Sequence, residues 1–118
     1  MKKTIGILFA AAIATAALAI PTIGAGAPQT VRVNEVDGRI SLSTRPKSGA
    51  VKFVVRNRGG DAHDFWVRGG GKRWKTRVLI PGRSATLTVQ LKKGVRYSFW
   101  CGVSDHAEDG MRGSFVAR

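Results

Sequence analysis

Cysteine is all but missing from this sequence: Cys101 stands alone, so no disulfide can form within the chain. A lone thiol in an oxidising compartment is a hazard unless it is buried, paired between chains or bound to a metal. Histidine is nearly as scarce, with only His63 and His106, and the one methionine beyond the initiator is Met111. Acids are few too. Seven stand against 20 Lys and Arg, giving a formal net charge of +13, and none precedes Glu35. That surplus draws anionic partners or lipid headgroups but does not specify a fold. Helical periodicity is lacking after residue 28, and no repeat is visible.

The amino terminus is the one long apolar run. Met1-Lys2-Lys3 is followed by Ile5 to Ile20, broken only by Gly6 and Thr15, and then by small residues at Ala25-Gly26-Ala27. A basic start, an apolar middle and a small-residue end are the layout of an export signal. The expected division is a signal at 1–27 and a domain at 28–118. An uncleaved anchor through residues 5–27 is the minority reading, weakened by Pro21 and the Gly-rich end. The expected location is therefore exported, either periplasmic or extracellular. Without residues 1–27 about 91 remain, enough for one two-layer domain.

The remainder is short, β-rich and punctuated by turns. Strands are expected at Val31–Val36 and Arg39–Ser43 around an Asp37-Gly38 turn, and through Val51, Phe53 and Val55. His63, Phe65 and Val67 share one parity, with Asp64, Trp66 and Arg68 on the other. Val78–Ile80 precedes a Pro81-Gly82 turn. Ala85 to Leu91 alternates most cleanly, Val95, Tyr97, Phe99 and Cys101 alternate again, and Ser114–Ala117 closes the chain. This pattern predicts an all-β antiparallel sandwich or barrel. Parity turns His63 and Cys101 inward, where the core meets the loops, and sends Trp100 outward, to pack on the outer sheet surface or a loop.

The chemistry concentrates in Cys101-Gly102-Val103-Ser104-Asp105-His106-Ala107-Glu108-Asp109-Gly110-Met111, a Cys-x4-His-x4-Met array at a strand end. Thiolate, imidazole and thioether form a soft donor set. A trigonal His2Cys site with a weak axial Met suits copper, and His63 is the only second imidazole on offer. Each residue taken singly is more ordinary as a buried Cys, a surface His or a core Met. Three scarce types on one loop are not. Zinc seldom uses thioether, so Met111 favours copper.

These segments resemble the cupredoxins, the blue copper proteins such as plastocyanin, azurin and rusticyanin. Val55-Arg56-Asn57-Arg58-Gly59 leading to His63-Asp64-Phe65 is similar to the family's first-ligand region. Pro81-Gly82, Leu87-Thr88-Val89, Gly94, Tyr97-Ser98-Phe99-Trp100-Cys101, His106 and Gly110-Met111-Arg112-Gly113 resemble its C-terminal half, and the ligand spacing looks most like that of rusticyanin. The resemblance covers roughly residues 30–118. It implies a Greek-key β-sandwich with one type 1 copper held by His63, Cys101, His106 and Met111. It also implies a monomeric electron carrier rather than an enzyme, cycling Cu(I)/Cu(II) with a cytochrome, reductase or oxidase, and His106 as the more exposed ligand. Many members have Asn after the first His, tying the ligand loops together; here Asp64 leaves that tie open. A copper-binding or trafficking role without electron transfer is the alternative reading.

Other functions fit less well. An export signal argues against nucleic acid as the partner, despite Lys72-Arg73-Trp74-Lys75. Gly69-Gly70-Gly71-Lys72-Arg73 lacks the spacing and hydroxyl of a phosphate loop and reads as a basic hairpin loop. Cysteine–histidine catalysis leaves Met111 unexplained. An oxidase or nitrite reductase needs further copper sites, for which no His remains. Asp61, Asp64, Asp105, Glu108 and Asp109 lie within three residues of a proposed ligand, so an acidic copper end on a basic body is expected. That polarity suggests a neutral or basic partner rim at the copper end, with the body facing an anionic wall or membrane.

Overall fold

The computed structural model describes residues 6, 12 and 26–118, so the export segment expected at 1–27 falls almost wholly outside the described residues. The described residues form eight strands: β1 (Gln29–Val36), β2 (Arg39–Leu42), β3 (Gly49–Asn57), β4 (Trp66–Gly69), β5 (Lys72–Lys75), β6 (Ser84–Leu91), β7 (Arg96–Trp100) and β8 (Arg112–Val116). They form two four-stranded sheets, ordered β2-β1-β3-β6 and β5-β4-β7-β8. Every pairing is antiparallel except β1 with β3. The chain changes sheet between β3 and β4, between β5 and β6, and between β6 and β7. The result is the expected all-β sandwich.

Alternation makes the core. Val31 and Val33 of β1, Val51, Phe53 and Val55 of β3, and Val89 and Leu91 of β6 are buried. They face Val67, Tyr97, Phe99 and Phe115 of the second sheet, with Phe65 just before β4. Phe53 meets Phe65 at 5.4 Å between ring centroids, Phe65 meets Phe99 at 5.9 Å, and Tyr97 meets Phe115 at 5.6 Å. Each such side chain taken from water contributes about 1.5–3 kcal/mol.

Val78–Ile80 is not a strand: only Leu79 pairs, in a single bridge with His63, while Val78 and Ile80 are exposed. Pro81-Gly82 follows at once and ends the pairing. The basic hairpin loop expected at Gly69–Arg73 is a hairpin whose turn is confined to Gly70-Gly71, with Lys72 and Arg73 already in β5. Gly70 and Gly71 both have positive φ, 58° and 75°, as the tight hairpin turn matched to sheet twist requires.

The candidate metal centre

Strand directions bring the β1–β2, β3–β4, β5–β6 and β7–β8 connections to the same end of the sandwich. His63 is anchored there by backbone bonds in both directions with Leu79, its N–H to Leu79 O at 3.0 Å and Leu79 N–H to its own carbonyl at 2.7 Å. Asn57, fully buried at the end of β3, locks the surrounding loops. Its amide donates to the carbonyls of Asp61 and Leu79, at 2.7 and 2.8 Å, and its Oδ1 accepts from Gly59 N–H.

Cys101 follows directly on β7, and the loop after it closes on itself. Cys101 N–H donates to Met111 O and Met111 N–H to His106 O, both at 3.0 Å. The segment is thus a chain of turns with Cys101 and Met111 buried and His106 partly exposed.

Three of the four expected ligand residues converge through their donor atoms. Cys101 Sγ lies 3.7 Å from Nδ1 of both His63 and His106, and the two Nδ1 atoms are 3.1 Å apart. Three donors around one ion, with bonds of about 2.0–2.3 Å, would stand roughly 3.5–3.8 Å apart in a trigonal plane. The triangle fits a single ion. Met111, buried at the foot of the same loop, completes a set that matches a type 1 copper site.

Surrounding groups fix this arrangement. His63 Nε2 is 2.8 Å from Asp37 Oδ1, so the ring donates there and turns an unprotonated Nδ1 toward the other donors. Asp37 also accepts from the N–H groups of Gly60 and Asp61. The Gly60 bond first, then the His63 pairing, holds its carboxyl below the usual carboxylate range. Asp64 supplies the tie that its replacement of Asn had left open. Its Oδ1 accepts from Gly102 N–H at 2.6 Å and its Oδ2 from Trp66 Nε1 at 2.9 Å. Gly102 is needed for close approach: a Cβ there would stand 2.5 Å from Trp66 Nε1. Burial pushes the Cys101 thiol up.

Two participants escaped the sequence reading. Asp37 was legible only as a turn residue, because its contact with His63 spans 26 residues. Glu35 lies on β1 yet is fully buried, with neither carboxylate oxygen hydrogen-bonded. Burial, and then the charge of Asp64, push it up to about 8. With both included, all seven acids of the chain sit on segments that converge at this end.

The sandwich is cupredoxin-like in fold. No protein-family model matches the chain, and no curated protein matches it in sequence. Solved structures do match. Dithionite-reduced auracyanin from the photosynthetic bacterium Roseiflexus castenholzii aligns with a TM-score of 0.64 and 17% identity, over 79% of this chain and 99% of that one. Auracyanin B gives 0.63 and 18%, over 79% and 91%. A multicopper oxidase gives 0.55 and 18%, over 75% of this chain and 41% of its own. At such identities the likeness is one of fold.

Proposed function

We propose that this is a small exported type 1 copper protein, a one-electron carrier with its metal held by His63, Cys101, His106 and Met111. One observation carries the reading: an Sγ and two Nδ1 atoms from distant segments meet within 4.8 Å of one another, two of their three residues buried. Bound there, copper supplies one-electron exchange between Cu(II) and Cu(I). The protein's part is to hold the donors fixed. Cys101 would hold the ion as thiolate and Met111 as a weak thioether donor, Asp37 fixes the tautomer of His63, and the partly exposed His106 forms the edge nearest solvent. Donors already in place need little rearrangement when the oxidation state changes, which favours a carrier over a protein that must release its metal.

Export rests on residues 1–27, and the domain follows from residue 28. The expected partner is another redox protein, met by a monomer, and nucleic acid has no role in this reading. Residues 28–118 should take up Cu(II) and develop an intense visible thiolate-to-copper band. The band should vanish in Cys101→Ala and bleach reversibly on one-electron reduction. A colourless protein would end the copper reading; colour with ready transfer of the metal to a second protein, and no reversible reduction, would favour trafficking.

A further inference from the structure

The outer face of the β5-β4-β7-β8 sheet carries an ordered row. Lys75, Trp66, Trp100 and Arg112 are consecutive cross-strand partners, one from each strand. The two indoles stack, with centroids 5.7 Å apart and planes at 15°. Lys75 Nζ lies 4.9 Å and Arg73 Cζ 5.3 Å from the Trp66 ring centre. In the next row Arg68 faces Arg73 directly, and Arg96 lies further along β7. The face thus presents five exposed cations, Arg68, Arg73, Lys75, Arg96 and Arg112, and its outward positions include no acid. Like charges opposed across strands cost stability, and no acid among the outward positions offsets the Arg68–Arg73 pair.

We propose that this cation-flanked tryptophan face is the docking surface for an acidic redox protein, presenting carboxylates to Arg68, Arg73 and Lys75. The inference rests on the carrier reading above and adds the partner's chemistry and place of contact. Charge complementarity supplies the attraction and steers encounter. Position supplies the purpose. Trp100 is bonded to Cys101, and the Trp66 indole is held by Asp64, whose other oxygen grips Gly102. Both rings are therefore fixed to ligand-bearing segments. A docked partner would exchange one electron, its own centre being reduced as the copper is oxidised, or the reverse. A lipid surface fits less well. Interfacial aromatics offer apolar rings to the bilayer, whereas Trp66 is stacked on one neighbour, approached by two cations and hydrogen-bonded at its indole nitrogen.

The test uses the purified protein and deca-glutamate as a carboxylate probe. Binding is followed by the indole N–H signals of Trp66 and Trp100 in the metal-free form, and by the salt dependence of hexacyanoferrate(III) reduction by the pre-reduced, Cu(I)-loaded form, which is oxidised to Cu(II). The variant R73E/K75E should weaken peptide binding at least tenfold and slow the hexacyanoferrate reaction. A control with the same charge change on the opposite sheet, K52E/R56E, should have less than a threefold effect on either. Arg68→Glu, which relieves the opposed arginines, should reproduce the loss without impairing folding. Equal losses in R73E/K75E and the control would overturn the surface, leaving only net charge. So would tight binding to phosphatidylglycerol vesicles, lost in R73E/K75E, with unmoved indole signals on adding peptide. A protein that binds the peptide through this face but forms no coloured site would keep the surface and lose the carrier.

Discussion

Asp37 Oδ1 stands 2.8 Å from Nε2 of the buried His63, across 26 residues of chain, and so decides which ring nitrogen faces Cys101. The contact turns a hairpin turn residue into the support of a ligand. A carboxylate behind a ligating imidazole raises its basicity and fixes its orientation, and its loss typically lowers metal affinity about 10- to 100-fold. Asp37→Ala should fall in that range, measured by competition with a chelator, while Asp109→Ala, exposed on the ligand loop, should change affinity little.

Asp64 keeps the loop tie that Asn makes in many cupredoxins but adds a negative charge beside the site. That charge favours Cu(II) over Cu(I). Asp64→Asn should therefore raise the reduction potential. The interaction is on the order of 1–2 kcal/mol at a few ångströms in a partly buried setting, or roughly 40–90 mV. The asparagine can still accept from Gly102, but its NH2 would face the Trp66 donor, so a stability loss of about 1–2 kcal/mol should accompany the shift. Voltammetry and urea unfolding measure the two effects.

Metal uptake should be linked to protons. Burial keeps the Cys101 thiol protonated at neutral pH, yet only the thiolate is a good ligand, so binding must expel that proton. Calorimetry with Zn(II) or Co(II) in buffers of different ionisation enthalpy should find about one proton released per ion at pH 7. Apparent affinity should rise about tenfold per pH unit until the thiol itself titrates, and Cys101→Ser should flatten the slope.

Glu35 gives stability a pH dependence of its own. The folded state keeps its proton up to about pH 8, while the unfolded state loses it near 4.5. Between those limits the folded state binds more protons, so stability falls as pH rises, by about 1.4 kcal/mol per unit from this group. Below 4.5 and above 8 its contribution is flat. Glu35→Gln should abolish this slope in the metal-free protein and be the more stable form at pH 8, as read by urea unfolding at pH 5 and pH 8.

Gly102 is the narrow point between the ligand loop and Trp66. Gly102→Ala would force the indole out, break its bond to Asp64 and unstack it from Trp100. Overpacking of this kind costs about 1–3 kcal/mol. The near-ultraviolet circular dichroism of the tryptophans should weaken in parallel.

Much of this architecture was readable from alternation and scarcity. The parity of Val51, Phe53 and Val55, and of Val95, Tyr97, Phe99 and Cys101, placed the inner faces because one face of each strand is buried. The rarity of Cys, His and Met made the donor set stand out before any geometry. Long-range contacts were another matter. Nothing local in Asp37-Gly38 betrays a partner in His63; the alternation of Val31 and Val33 does put Glu35 on the inner face of β1, but a lone acid there is ordinarily read as exposed. The hairpin read at Gly69–Arg73 is there, but Lys72 and Arg73 lie in a strand rather than in its loop, because only Gly70 and Gly71 make the turn and pairing with β4 resumes at once. Trp100 was placed outward by parity, but its stacking on Trp66 depended on a cross-strand register that no single segment contains.

The chain separation of 38 residues between His63 and Cys101 has a mechanical consequence. A domain this small, with one thiol, has no covalent staple to restrict its unfolded chain. An ion gripped by both residues would close a loop of that length and join the two layers of the sandwich as a removable crosslink. Loss of the ion would then remove that crosslink in one step, leaving both segments to the hydrogen bonds of Asp37, Asn57 and Asp64.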